Sequence, residues 1–377
     1  ARLLVLSCLD NGDVPSVISG IVKQQLMDRL RITINHAMDI HGGHGICMGP
    51  NNYLARYYQL IPIGITVEGA NILTRSLMIF GQGAMRSHPY LLKEVSAVHN
   101  DDKKQGLKDF DQALFAHAGF VISNVVRTLL IGVTATRLLR TPGKGVTKYY
   151  YRQLVRMSSS FALLTDACVA LLGGSLKRRE KISGRFADAL SNMYVLTAVL
   201  KHFEDDGCPE EDIPLLKWAC DDALFNIQSA MKGIMLNLQV PVIGRLLNML
   251  VFPLSKPYQE PGDKLGHQVA RLLLEPSASL DRLTKGIYIH NDADDATGRI
   301  LAAQNLVLET VDLERKIRTA KRKGELKSKD VGLYAEARDK NIINEKELEL
   351  LIKTQLAVQN AIKVDEFSNT GWKVETP

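Results

Sequence analysis

Glu68 stands out as a candidate for chemistry because of its neighbours. It follows Ile61, Pro62, Ile63, Ile65 and Val67, a strip with no other charge. A carboxylate that loses water in such a setting becomes harder to ionise and stronger as a base. Burying it unpaired is costly, so it needs a reason to be there. A second reading is structural. A Glu at a helix start is favoured by unpaired amides and by the helix dipole, which pulls its pKa the other way. The residues alone leave both readings open.

Upstream lies His41-Gly42-Gly43-His44-Gly45. The double glycine reads as the stop of a long helix. It also reads as backbone that a ligand can approach closely. His36, His41 and His44 read as packing or surface residues, since no spacing of the kind metals require accompanies them. No metal site is expected. Five cysteines (Cys8, Cys47, Cys168, Cys208, Cys220) lack Cys-x-x-Cys spacing, as expected of free thiols in a reducing compartment.

The elements that must position these residues read as helices almost throughout. Val14–Ile40 carries helical spacing, Tyr53–Leu60 is a short helix, and Glu68–Arg86 is another with Ile72, Leu73, Leu77, Ile79 and Phe80 on its apolar side. The polar run His99–Gln105 marks a boundary. Beyond it four long helices are expected at Gly106–Arg140, Val146–Leu172, Ser175–Glu204 and Glu210–Leu238, then a short apolar one at Val240–Phe252. The Pro/Gly/Asp-rich stretch 253–298 reads as surface loop, and the charged tail from Arg299 as helix to about Ile362, with a disordered end. No hairpin signal and no internal repeat occur, so the expected class is all-α. Phe115–Leu139 is apolar but carries His117, Arg127 and Arg137, which suits a buried bundle helix better than a spanning one. The opening Ala-Arg-Leu-Leu, without Met, reads as the last turns of a helix in a longer chain.

A net charge of +6 over 377 residues, with 6% aromatics, does not suggest a nucleic-acid partner. Leu176–Glu180, after Gly173-Gly174, reads as a solvated basic face, with a phosphate contact as the alternative. Glu314–Asp330 holds eight basic and three acidic residues. It reads as an exposed helix, with an anionic membrane surface or acidic partner as the alternative.

Taken together, "DIHGGHG" followed by "TVEGANILTRS" resembles the C-terminal helical domain of acyl-CoA dehydrogenases. The stretches "AMDIHGGHGICMGPNNYLARYY", "ITVEGANILTRSLMIFGQGAMRSHPYLLKE", "ISNVVRTLLIG" and "LLGGSLKRRE" resemble the long bacterial fatty-acyl-CoA dehydrogenases of the FadE type, from residue 1 to about residue 290 and more loosely beyond. The resemblance implies an acyl-CoA dehydrogenase helical bundle at 1–100, a second helical domain of the long subtype at 101–298, and a charged helical tail at 299–377. It implies FAD as cofactor and Glu68 as the base that starts α,β-dehydrogenation of a fatty acyl-CoA in β-oxidation. Gly42, Gly43 and Gly45 match the loop that approaches the ADP part of the flavin from a neighbouring subunit. Asp39 stands where many relatives have Gln. Gly69 matches the residue after the base, Ala70 and Ile72 replace polar residues near the flavin, and Val67 replaces a Tyr. Arg75 matches a commonly basic position. Implied partners are fatty acyl-CoA, an electron-transferring flavoprotein, and a second copy of the chain in a homodimer or larger assembly. Membrane-surface contact is a further expectation, with a cytoplasmic location at or near the inner membrane. The family's other domains, which supply much of the flavin site, are not in these residues, so the piece alone is expected to bind FAD weakly and to be inactive. The rival reading is a non-catalytic helical dimerisation or membrane-docking module.

Overall fold

In the computed structural model, residues 1–83, 87–253, 258–288, 294–329 and 331–365 are described. The chain is 78% helical, with no strand among the described residues. It divides into two compact units, one made of Ala1–Asp28 and Gly64–Lys285, the other of Arg29–Ile63 and Gly286–Pro377. His99–Gln105 lies inside the first unit. There helices α6 (Leu91–Val98) and α7 (Lys103–Val133) pack together across it. The compact units therefore cut the chain at other places than the sequence segments do.

The core of the first unit is built by α8 (Gly145–Leu172), α9 (Glu180–Asp205) and α10 (Ile213–Leu236). Leu164, Leu196, Leu200, Leu224, Ile227 and Met231 are fully buried there. Each such side chain contributes about 1.5–3 kcal/mol over its exposed state. Phe186 of α9 stacks on Phe80 with ring centroids 4.1 Å apart, and Phe161 of α8 meets both edge-on. Phe80 belongs to the segment that follows Glu68, so this aromatic cluster anchors that segment to the core. Several polar groups inside the bundle are paired: Tyr150 donates to Asp221, and Thr147 and Tyr151 donate to Glu204. Burial pushes the Tyr150 hydroxyl well above its usual range and Tyr151 to about 12. The five cysteines are free, and burial raises Cys168 to about 12, so it packs rather than reacts.

Three expectations are corrected. The helix expected to reach Arg140 stops at Val133. Ala135 and Thr136 there take positive φ (48° and 66°), and Gln153 donates to the Thr136 hydroxyl. Two left-handed residues in succession cannot continue a right-handed helix. The strip 61–67 does not stand apart from the helix before it. Helix α4 (Leu54–Thr66) runs through it, with Pro62 inside. And 253–298 is not all loop, since it contains α12 (Asp263–Leu274) and α13 (Ala278–Thr284). Helix α13 is held by the guanidinium of Arg282, which forks onto Asp212 and Glu211.

The second unit contains α14 (Ala296–Arg322), α15 (Val331–Asp339) and α16 (Glu345–Ile362), joined over Ile317, Ala337, Ile343 and Leu351. Asn344 and Glu347 cap α16 reciprocally. The basic run from Glu314 lies partly on α14, where Arg315 is 73% exposed beside Asp312. The end expected to be disordered, 366–377, falls outside the described residues.

Among the described residues two helices, Lys103–Val133 and Gly145–Leu176, are long and apolar enough to cross a membrane by length and composition, and the bent pair Leu54–Thr66 and Asn71–Gln82 passes only if taken as one span. Of the two single helices, the second contributes many of the core residues above. The first has only 17% of its apolar window buried.

Candidate active site

Helix α2 (Ser16–His41) ends at the glycine loop, as its residues imply. Gly42 has φ 52° and ψ −125°, a conformation that side chains resist, and it opens the short turn α3 (Gly43–Ile46). Gly45 is buried, and a Cβ there would sit 3.3 Å from the sulfur of Met38. Asp39, Gly42 and Gly43 are exposed, and nothing lies within 4 Å of a Cβ built on either glycine. The backbone of the loop is thus open to an approaching group. His41 donates from Nδ1 to the Ala37 carbonyl, so its Nε2 accepts the Tyr53 hydroxyl at 2.8 Å. His44 reaches the Asn51 carbonyl from Nε2 at 3.1 Å. Both histidines shape the loop.

Asn52 fastens this loop to the next helix. It is 6% exposed. Its amide donates to the carbonyls of Gly45 (2.8 Å) and Cys47 (2.9 Å), and its oxygen accepts the N–H groups of Leu54 and Ala55. Asn51 is fixed from the other side by Asp365 and Arg299. Asn52→Ala removes a helix cap and leaves two carbonyls without their donor. A loss of about 1–2 kcal/mol is expected in the second unit. Hydrogen exchange at Leu54 and Ala55 checks it, and unchanged protection there would contradict it.

Glu68 lies in the first unit, so the two halves of the sequence-derived site fall in different units. The buried apolar slot is not what forms around it. Glu68 is exposed, and Val67 (47%), Ile72 (66%) and Leu73 (48%) open an apolar surface beside it. The capping reading fails as well: α5 (Asn71–Leu73) begins after an N-cap at Ala70 that makes no side-chain bond. Glu68 sits two residues before that cap at φ 55°, and Gly69 follows at φ 86°. A glutamate in left-handed backbone costs about 1–2 kcal/mol. Such strain collects where geometry is held for function.

The turn is held by residues that local spacing does not reveal. Lys23 of α2 donates from Nζ to the Gly69 carbonyl (2.7 Å) and to Asn71 Oδ1 (2.8 Å). The Asn71 amide donates to Asp28 (2.8 Å) and to the Gln24 carbonyl. After α5 the chain continues as a π-helix over Thr74–Gln82, a geometry often found next to functional positions. Arg75 on it makes a two-pronged bridge to Asp188 of α9, which raises the guanidinium pKa through that hydrogen bond. Gly184 makes room for it, since a Cβ there would lie 2.7 Å from Arg75 Nη1. Arg75 therefore anchors the segment. Leu176 of the basic run is buried in a 3-10 turn, Gly173–Arg178.

A further group of titratable side chains was not foreseen. His88, His117 and Asp166 bring ligand-type atoms within 4.8 Å of one another. His88 accepts the N–H groups of Tyr90 and Leu91 at Nδ1, so its Nε2 carries a proton and donates it to Asp166 Oδ1 at 2.8 Å. A nitrogen so engaged is a donor, not a metal ligand. His117 donates from Nδ1 to Glu94 at 2.7 Å and turns Nε2 to the same Asp166 oxygen at 3.4 Å. The cluster ties α6, α7 and α8 together.

In this all-α chain the candidate site is thus an exposed glutamate turn beside an open apolar surface. The family model described as acyl-CoA dehydrogenase, C-terminal, bacterial type, matches residues 85–367, and the chain belongs to that family. The match begins after the Glu68 turn, so it does not itself cover Glu68 or the glycine loop. Acyl-CoA dehydrogenases are in general FAD-dependent oxidoreductases that act on acyl-CoA and form oligomers. No solved structure matches the chain.

Proposed function

We propose that this chain carries the catalytic base of a flavin-dependent fatty-acyl-CoA dehydrogenase, serving β-oxidation. The observation that supports it most is the exposed Glu68–Gly69 turn, held in left-handed backbone by Lys23 and flanked by Val67 and Ile72. The carboxylate of Glu68 takes the α-proton of the acyl thioester. The flavin, when bound, supplies the two-electron acceptor for the β-hydrogen, which leaves as hydride and gives a trans-2-enoyl-CoA. Val67 and Ile72 offer an apolar surface to the acyl chain, while Lys23 and Asn71 hold the turn that carries the carboxylate. The open backbone at Gly42 and Gly43 fits close approach of a dinucleotide, and the family resemblance adds Asp39, Gly45, Gly69, Ala70 and Ile72 to the residues assigned to the cofactor. Electrons leave to an electron-transferring flavoprotein. In this reading residues 1–100 belong to the catalytic helical domain, 101–298 to the second domain and 299–377 to the tail, in a cytoplasmic homo-oligomer. The test is product analysis: the protein that carries this chain, supplied with FAD, a long-chain acyl-CoA and an artificial electron acceptor, should yield the trans-2-enoyl thioester. No enoyl product with flavin bound would overturn the reading.

A further inference from the structure

Helix α7 is inverted. The side turned into the first unit carries the small or polar Gly106, Ala113, Asn124, Thr128 and Gly132, with Ile131 as a buried apolar exception and Thr136 just beyond. Asn124 Nδ2 and Thr128 Oγ1 are buried without a partner. The side turned to solvent carries Phe115 (76% exposed), Ile122 (64%), Val126 (49%), Leu129 (40%) and Val133 (54%). These positions recur at helical spacing and lie on one face. From Phe115 to Val133 the stripe runs about 27 Å at helical rise. Next to it packs α11 (Pro241–Val251), where Gly132 allows Pro253 to come close. Helix α11 also exposes an apolar row, Val242 (62%), Leu246 (54%) and Met249 (67%). A protein surface seldom leaves an apolar face this continuous without something to cover it.

The charges nearby say what covers it. From Gln112 to Thr165 there is no Asp or Glu, but there are seven Lys and Arg: Arg127, Arg137, Arg140, Lys144, Lys148, Arg152 and Arg156. From Ala223 to Gln259 the sequence again has no acid, and among the described residues it places Lys232 and Arg245 there. Arg127, Arg137, Arg140 and Arg245 are exposed. A second copy placed face to face would set cations against cations, since a two-fold interface presents the same patch from both sides. An anionic bilayer offers apolar interior and negative headgroups together. With α6, α8 and α11 packed against it, α7 is placed to lie in the plane of that bilayer rather than to cross it.

We propose that the exposed face of α7, with the row on α11, docks the protein in-plane onto a membrane rich in anionic phospholipid. This does not rest on the dehydrogenase reading. The test is co-sedimentation of the full chain with vesicles of phosphatidylcholine, with and without phosphatidylglycerol. Binding is expected with phosphatidylglycerol, weakening as salt rises. Ile122→Glu puts a charge at an exposed position and should lower vesicle partitioning about tenfold or more while leaving the thermal unfolding curve in place. Arg137→Glu with Arg140→Glu should lower binding only to the anionic vesicles. Equal binding by the parent to both vesicle types, or undiminished binding by Ile122→Glu, would overturn the proposal. So would a parent that binds no vesicle but changes from dimer to monomer on Ile122→Glu, since a second copy would then cover the face.

Discussion

Glu68→Gln, in the flavin-loaded protein, is expected to bind acyl-CoA and to leave its flavin oxidised. Glutamine keeps the shape and hydrogen-bonding capacity of the side chain but cannot take the α-proton. Loss of a general base costs about 10²–10⁴-fold. The measurement is anaerobic bleaching of the flavin on mixing with a long-chain acyl-CoA. Bleaching within a few-fold of the parent rate would take Glu68 out of the reaction. Glu68→Asp should keep partial activity, since the carboxylate survives one methylene further back. The backbone gives an independent check. Glu68 sits at φ 55°, where glycine is at ease, so Glu68→Gly should abolish bleaching yet keep or raise stability by up to about 1 kcal/mol. A large loss of stability in that variant would mean that the side chain holds the fold, as a structural residue does.

The helical class was legible because apolar residues recur at helical spacing and glycines mark the ends, as at Gly42. The places where it misled are those where backbone conformation decides. Nothing in the letters of Ala135 and Thr136 says that both turn left-handed, and the apolar positions carry on to Leu139. Glu68 is the same case. Its neighbours suggest a buried slot or a cap, while the backbone makes it an exposed hinge before α5. The groups that position it were out of reach for a different reason. Lys23 and Asn71 are 48 residues apart, and His88 and Asp166 are 78 apart, so only packing brings them together. The inversion of α7 lies between these cases. Phe115, Ile122, Val126, Leu129 and Val133 can be drawn on one face from their numbers alone. The usual inference buries that face, and the structure turns it outward.

Asp166→Ala should be among the most damaging single changes in the first unit, although the residue lies on no sequence motif. Its side chain is 5% exposed and receives His88 at 2.8 Å, with His117 3.4 Å away. Removing it strips His88 of its acceptor in a site shielded from water. His88 cannot turn to another partner, because Nδ1 is already committed to the amides of Tyr90 and Leu91. A loss of about 3 kcal/mol is expected, between the cost of one broken buried hydrogen bond and that of a broken buried ion pair. For a unit of this size that lowers Tm by roughly 6–12 °C. Asp166→Asn keeps one carbonyl acceptor for the His88 proton and should recover part of the loss. A metal ion at the same residues would give a different pattern. A chelator would then lower the parent's Tm and leave that of Asp166→Ala untouched. The hydrogen-bonded reading expects the chelator to move neither. If Asp166→Ala unfolds within about 1 °C of the parent, the cluster carries little stability and its burial has another cause.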